Sequence, residues 1–228
     1  MIKLQDVWKV YSNNVKAING ITIHVDKGEF VYIVGPSGAG KSTLIRLLYR
    51  EERATQGEIF INNVRLSSLR PRKIPALRRK VAVVFQDFKL LPTLTVFENI
   101  AFALEVIEEH PTIIQKKVNE ALDLVKLKSK AKFVPGELSG GEQQRAAIAR
   151  AFVNSPDVMI ADEPTGNLDP DTAWSIMDVL ESINAKGTTI MMATHNKEIV
   201  NTLKRRVIAI ERGRVVRDEA RGSYGYEA

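Results

Sequence analysis

The stretch Gly35-Pro36-Ser37-Gly38-Ala39-Gly40-Lys41-Ser42 decides how this chain is read. A compact apolar run, Phe30–Val34, leads into it, and Lys41–Tyr49 continues with helical character. Glycines between a buried strand and a helix let backbone N–H groups curl toward a phosphate, and the helix N-terminus adds positive potential. The spacing G-x-x-x-x-G-K-[ST] predicts that Lys41 reaches the β- and γ-phosphates of a nucleotide and that Ser42 ligates Mg²⁺. Gly35, Pro36, Ser37, Gly38, Ala39, Gly40, Lys41, Ser42 and Thr43 are the expected nucleotide contacts.

Two further stretches carry chemistry. In Val158-Met159-Ile160-Ala161-Asp162-Glu163, four apolar residues precede two acids. A buried strand that delivers carboxylates at its C-terminal end is where α/β sheets place ligand chemistry. Asp162 is expected to hold Mg²⁺ and Glu163 to polarise an attacking water, a role typically worth about 10²–10⁴ in rate. Taken alone, the pair also fits a strand ending in a solvated acidic turn. In Leu138-Ser139-Gly140-Gly141-Glu142-Gln143-Gln144-Arg145, Ser139 and the amides of Gly140 and Gly141 form a second candidate anion site at a helix start. Ser139 and Glu142 also read as a capping box. Capping leaves the two glycines unexplained, because glycine weakens a helix.

The rest of the chain alternates in type. Ile21, Ile23 and Val25 alternate with Thr22 and His24, and Asp26-Lys27-Gly28 supplies a turn. Glu58–Ile61 and Val64 flank Asn62-Asn63 as a hairpin, and Val81–Phe85 is a buried-type strand. Phe97–Glu108, Ile113–Val125 and Gly141–Asn154 read as helices. Strands and helices then alternate: Val158–Ala161, Asp171–Ile183, Thr188–Thr194, Lys197–Leu203, with a closing hairpin around Gly213. This pattern predicts an α/β protein with a largely parallel sheet covered on both faces. One domain spans 1–228: a core from 1–87 and 156–228, interrupted by a helical subdomain over 88–155.

Composition narrows the function classes. The 228 residues hold 33 basic and 27 acidic side chains, a net +6, and no cysteine. Thiolate metal sites, cysteine nucleophiles and disulfide frameworks are thereby excluded. Met1–Val7 alternates instead of pairing a basic patch with an apolar run, and the longest apolar stretches fall short of the ~18 residues of a membrane span. The expected location is cytoplasmic. His24 and His110 match no motif and read as structural or solvated, and Trp8 and Trp174 read as core.

The order of the motifs resembles an ABC-type ATPase: the glycine-rich loop, Gln86 after Val81–Phe85, Leu138–Arg145, Val158–Glu163, Gly166-Asn167-Leu168-Asp169, and His195 after Thr188–Thr194. The resemblance implies a P-loop nucleotide-binding fold with a RecA-like sheet, an N-terminal antiparallel β subdomain and an inserted helical subdomain. It also implies ATP and Mg²⁺ as the ligands. Tyr11 would stack on adenine, and Gln86 would touch Mg²⁺ or the attacking water. His195 would contact the γ-phosphate and position the water with Glu163; with Gln86 and Lys41, these make the expected catalytic set. Ser139, Gly140, Gly141 and Gln143 would bind ATP held by a second copy's Lys41, and Asp169 would cross to that copy. The active unit implied is a homodimer around two ATP.

Flanking residues are similar to the FtsE family of bacterial cell-division ATPases, Gram-positive members included. They are Leu48–Glu52, Leu77–Lys80, Lys89-Leu90-Leu91, Thr95–Asn99, Val216–Glu219 and Gly222–Glu227. That resemblance implies an FtsX-like membrane partner and regulation of cell-wall hydrolysis during division. Lipoprotein-release and macrolide-export ATPases share Leu91–Thr95 and stay open as alternatives, as does a DNA-associated ABC ATPase. Phe88, Leu90, Leu91, Leu94, Val96 and Phe97 could form a cleft for a partner helix or pack the insert onto the sheet. Residues 65–80 carry seven basic side chains and no acid, and 204–228 carry seven against four acids. These segments fit an anionic membrane surface or a solvated basic face better than nucleic acid.

Overall fold

The computed structural model describes residues 1–225; Tyr226 and Glu227, from the closing stretch quoted above, lie outside the described residues. Two sheets organise the chain. The first is antiparallel, in the order β2 (Lys16–Val25), β1 (Ile2–Val10), β4 (Gln56–Ile61), β5 (Val64–Arg65). In β2, Ile21, Ile23 and Val25 are buried while Thr22 and His24 face solvent, as period-two alternation requires. Asn62 and Asn63 join β4 to β5 with φ of 50° and 62°, the left-handed pair of a tight hairpin.

The second sheet runs β10 (Arg214–Glu219), β9 (Arg206–Glu211), β3 (Phe30–Val34), β8 (Thr189–Ala193), β7 (Val158–Asp162), β6 (Val81–Val84). From β9 to β6 every pairing is parallel, and β10 closes the edge antiparallel. All residues of β3 and β8 are buried, the mark of strands covered on both faces. On one face, α1 (Lys41–Leu48) and the antiparallel sheet share a core with Val31, Ile33, Ile160 and Ile208. On the other, α3 (Val96–Glu105), α4 (Pro111–Leu124), α5 (Gly140–Phe152) and α6 (Pro170–Ala185) bury their apolar stripes with Tyr32, Val84 and Met159.

Three details depart from expectation. Inside the basic segment a helix, α2 (Ile74–Lys80), forms behind Pro71–Lys73; it buries only Leu77 and sets Arg78, Arg79 and Lys80 in its last turn, where cations suit the helix dipole. Neither tryptophan is full core: Trp8 is half-buried with its indole N–H donating to Asp6 Oδ1 at 2.9 Å, and Trp174 packs on the core's margin. Part of the second basic segment is neutralised at home, since Arg205 pairs with Glu181, Arg206 with Glu29 and Asp218, and Arg217 with Glu219. His24 bonds exposed Asp26, and His110 caps α4, both structural.

Candidate functional site

Strands β3, β7 and β8 lie side by side and parallel, so the loops that follow them open at one end of the sheet. The loop after β3 curls through Gly40, whose φ of 109° suits glycine, and α1 begins at Lys41. Gly35, Pro36, Ser37, Gly38, Ala39, Gly40, Lys41, Ser42 and Thr43 line one cavity of about 550 Å³ together with Glu163 and His195. That volume lies in the range of small-ligand pockets. Lys41 is nine-tenths buried, and its ammonium donates to the carbonyls of Gly35 at 2.8 Å and Pro36 at 3.0 Å.

The carboxylates arrive from β7. Asp162 accepts a hydrogen bond from the Ser42 hydroxyl, and burial beside Glu163 pushes its carboxyl above the usual range. Glu163 takes a left-handed backbone with φ of 50°, held by its N–H donating to Ala193 O at 2.9 Å. Non-glycine residues in this region cost about 1–3 kcal/mol and cluster at functional sites. Glu163 Oε1 lies 3.0 Å from His195 Nδ1, so the ends of β7 and β8 deliver a carboxylate–imidazole pair to the cavity.

Other predicted residues are placed elsewhere. Tyr11 does not line the cavity; its hydroxyl lies 3.3 Å from Thr43 Oγ1 and Lys9 covers its ring. Val15, Lys16 and Ala17 line the cavity instead. Val15 is 52% exposed, and its only sequence signal was an apolar side chain after Asn13-Asn14. Tyr224 also lines the cavity; the sequence marked its stretch only as part of the family resemblance, with no role in nucleotide binding. Gln86 turns to Asn167, donating to Oδ1 at 3.3 Å.

Ser139, Gly140, Gly141, Gln143 and Asp169 are absent from the lining of their own chain's cavity. Ser139 and Glu142 form the expected capping box at α5, and the Ser139 N–H holds the Glu142 carboxyl below the usual range. Gln143 Nε2 donates to Leu138 O at 3.2 Å. Asp169 caps α6 by accepting from Thr172 N–H at 3.0 Å, and the Thr172 side chain, with that N–H, holds its carboxyl below the usual range. In the apolar segment after Gln86, Val96 is buried and Leu90 and Phe97 pack against the main core, while Phe88, Leu91 and Leu94 stay partly exposed. Asn99, fully buried, holds it by accepting from Leu91 N–H and donating to the carbonyls of Leu91, Leu94 and Thr95.

Comparison with known proteins agrees with this geometry. The ABC transporter family matches residues 18–166. The cell division ATP-binding protein FtsE of Bacillus subtilis is 65% identical over 225 residues, covering 99% of each chain. FtsE of Streptococcus pneumoniae is 60% identical over 227 residues, covering 100% of this chain and 99% of its own. Among solved structures, the dimeric post-hydrolysis state of the ATP-binding cassette MJ0796, bound to ADP and Pi, superposes with a TM-score of 0.87. Its identity is 35%, covering 98% of this chain and 100% of that one. The fold is therefore the ABC nucleotide-binding fold, and the chain belongs to the ABC transporter ATPases and, within them, to the FtsE family of cell division ATP-binding proteins.

Proposed function

We propose that this ATPase works as a homodimer around two Mg-ATP and drives an FtsX-like membrane partner that regulates cell-wall hydrolysis during division. The observation that carries the catalytic part is the Glu163–His195 pair at 3.0 Å, facing the glycine-rich loop across one cavity. Backbone amides of residues 35–43 cradle the phosphates, and Lys41 exchanges its two carbonyl partners for phosphate oxygens. Glu163 accepts a proton from the attacking water, and His195 keeps that carboxylate aimed and contacts the terminal phosphate. Catalysis is then mainly positioning plus charge stabilisation. Tyr11, beside Thr43, supplies an aromatic face for adenine at the rim.

Asp162 and Ser42 fit Mg²⁺, since a carboxylate and a hydroxyl are hard oxygen donors, and at the Asp162 carboxyl burial and the neighbouring Glu163 outweigh the attraction of Lys41 and Arg46. Gln86, at the start of the segment held by Asn99, completes the set when the helical block moves. The ion, when bound, neutralises charge on the phosphate oxygens.

Self-association is supported by the position of Ser139, Gly140, Gly141, Gln143 and Asp169 outside their own chain's cavity. A second copy can bring them to the phosphates. Among the described residues no helix is long and apolar enough to cross a membrane, so contact with one needs a partner or a surface. The exposed side chains of Arg70, Arg72, Lys73 and Arg79 suit anionic lipid at about 1 kcal/mol each.

The test is Glu163→Gln. Hydrolysis falls at least about 100-fold, while light scattering with saturating Mg-ATP shows a dimer. Wild-type turnover would remove the role of Glu163, and a monomer would remove the dimer. Co-purification of a membrane protein with a large external domain checks the partner.

A further inference from the structure

The segment after β10 is fastened to the body of the protein. Arg217 Nη2 donates to the carbonyls of Ser223 and Gly225, both at 2.6 Å. Gly222 N–H donates to Arg205 O at 3.2 Å, and a Cβ on Gly222 would collide with the Val207 side chain, so glycine permits this close approach to β9. Tyr224 N–H donates to Asn201 Oδ1 at 2.7 Å. The Tyr224 ring packs against the main core and lies 5.6 Å from Lys197 Nζ, a cation–π contact.

These anchors decide which end of the cavity Tyr224 faces. Lys197 and Asn201 belong to α7 (Lys197–Leu203), which starts two residues after His195. Tyr224 lines the same cavity as Ser37, Gly38, Glu163 and His195. The purine side is marked instead by Thr43, where Tyr11 sits. Tyr224 is thus anchored to the helix that follows His195, by a segment that belongs to none of the nucleotide motifs of the sequence.

We propose that Tyr224 is a nucleotide-contact residue at the terminal-phosphate end of the cavity, and that the C-terminal segment is thereby part of the ATP site. This rests on the reading of residues 35–43 as the phosphate cradle. A side chain there distinguishes nucleoside triphosphate from diphosphate, because only the former extends to His195. The segment also becomes sensitive to the state of the site, since its anchors on α7 adjoin His195.

The experiment titrates the full chain with fluorescent ATP and ADP analogues in Mg²⁺. Tyr224→Ala weakens ATP binding about tenfold, the size of one polar contact to a charged group, and leaves ADP binding within about twofold. Asn201→Ala, which frees the Tyr224 backbone without touching the cavity, gives a smaller loss of the same ATP-only kind. Combining the two adds nothing to Tyr224→Ala, because both act through one contact. Equal losses for ATP and ADP, unchanged or tighter ATP binding in Tyr224→Ala, or additive losses overturn the proposal. Lys41→Ala tests the underlying site separately: if it binds ATP like the parent chain, the cradle reading fails and Tyr224 falls with it. If only the Tyr224 arm fails, the cradle stands.

Discussion

Thr172 Cγ2 occupies the place that a Cβ on Gly141 would need, whereas a Cβ on Gly140 would meet only ordinary contacts, 3.5 Å from Leu168 Cδ2 and 3.9 Å from Phe88 Cζ. The adjacent glycines that open α5 therefore answer to different demands. Gly141 lets α5 and α6 approach within one chain. Gly140 has room for a methyl in its own chain, and in the proposed dimer its requirement comes from the second copy.

Gly141→Ala is accordingly expected to destabilise the isolated protein by about 1–3 kcal/mol through overpacking. Gly140→Ala shifts stability by less than about 1 kcal/mol yet lowers ATP-dependent dimerisation. Urea unfolding of both variants, with light scattering in Mg-ATP, separates them. Equal destabilisation would contradict the assignment.

Asn99 is the pin of the segment between β6 and α3. Asn99→Ala removes the side-chain partner of the Leu91 N–H and of the Leu94 carbonyl, and leaves the Leu91 and Thr95 carbonyls with backbone partners alone. The expected cost is about 2–4 kcal/mol, read by urea denaturation. Asn99→Asp preserves the acceptor to Leu91 N–H but sets a buried negative charge against the carbonyls, so it does not rescue.

Glu142 supplies a pH-dependent prediction. Its carboxyl is lowered in the folded state, chiefly by the Ser139 N–H. A lowered carboxyl stabilises the fold above the usual Glu range, and that contribution is lost as pH falls through the folded-state value. Glu142→Ala should lower Tm at pH 7 by about 1–4 °C. The difference from the parent chain should shrink as pH falls below the ordinary Glu value of about 4.3. Melting curves from about pH 3 to about pH 7, which brackets the ordinary value, check this, and a gap that widens in acid refutes it.

His195→Ala leaves the glycine-rich loop intact and removes the partner of Glu163. Its kcat should fall about 100-fold, with KM changed far less, because the lost interaction belongs to the transition state. Steady-state kinetics decide it. A rise in KM at unchanged kcat would place His195 in ground-state binding alone.

The motifs that could be read without a structure are those whose chemistry is set by neighbours in the chain. Covalent spacing fixes how Gly35–Ser42 curls and which hydroxyl stands in the first turn of α1. It likewise fixes the capping box of Ser139 and Glu142, and the position of Asp162 and Glu163 at the end of an apolar strand. Long apolar runs made β3, β7 and β8 legible as doubly covered strands, and hence the α/β class. The helix α2 was not legible, because Ile74–Lys80 has a single buried residue, Leu77, and no apolar stripe.

Sequence alone thus determined the local devices: a phosphate loop, an acidic strand end, a capped helix start and a histidine after a strand. Only the tertiary structure decided which of them share a cavity. Lys41, Glu163 and His195 meet because the strand order places β3, β8 and β7 in succession with parallel sense, a relationship carried by no spacing along the chain. The same packing set Tyr11 to one side and brought Val15 and Tyr224 to the cavity wall. It also left Ser139, Gly140 and Asp169 outside the lining. Local geometry follows from a few consecutive dihedrals, whereas proximity across the fold follows from which apolar faces pack together, and the second is written in no single stretch of residues.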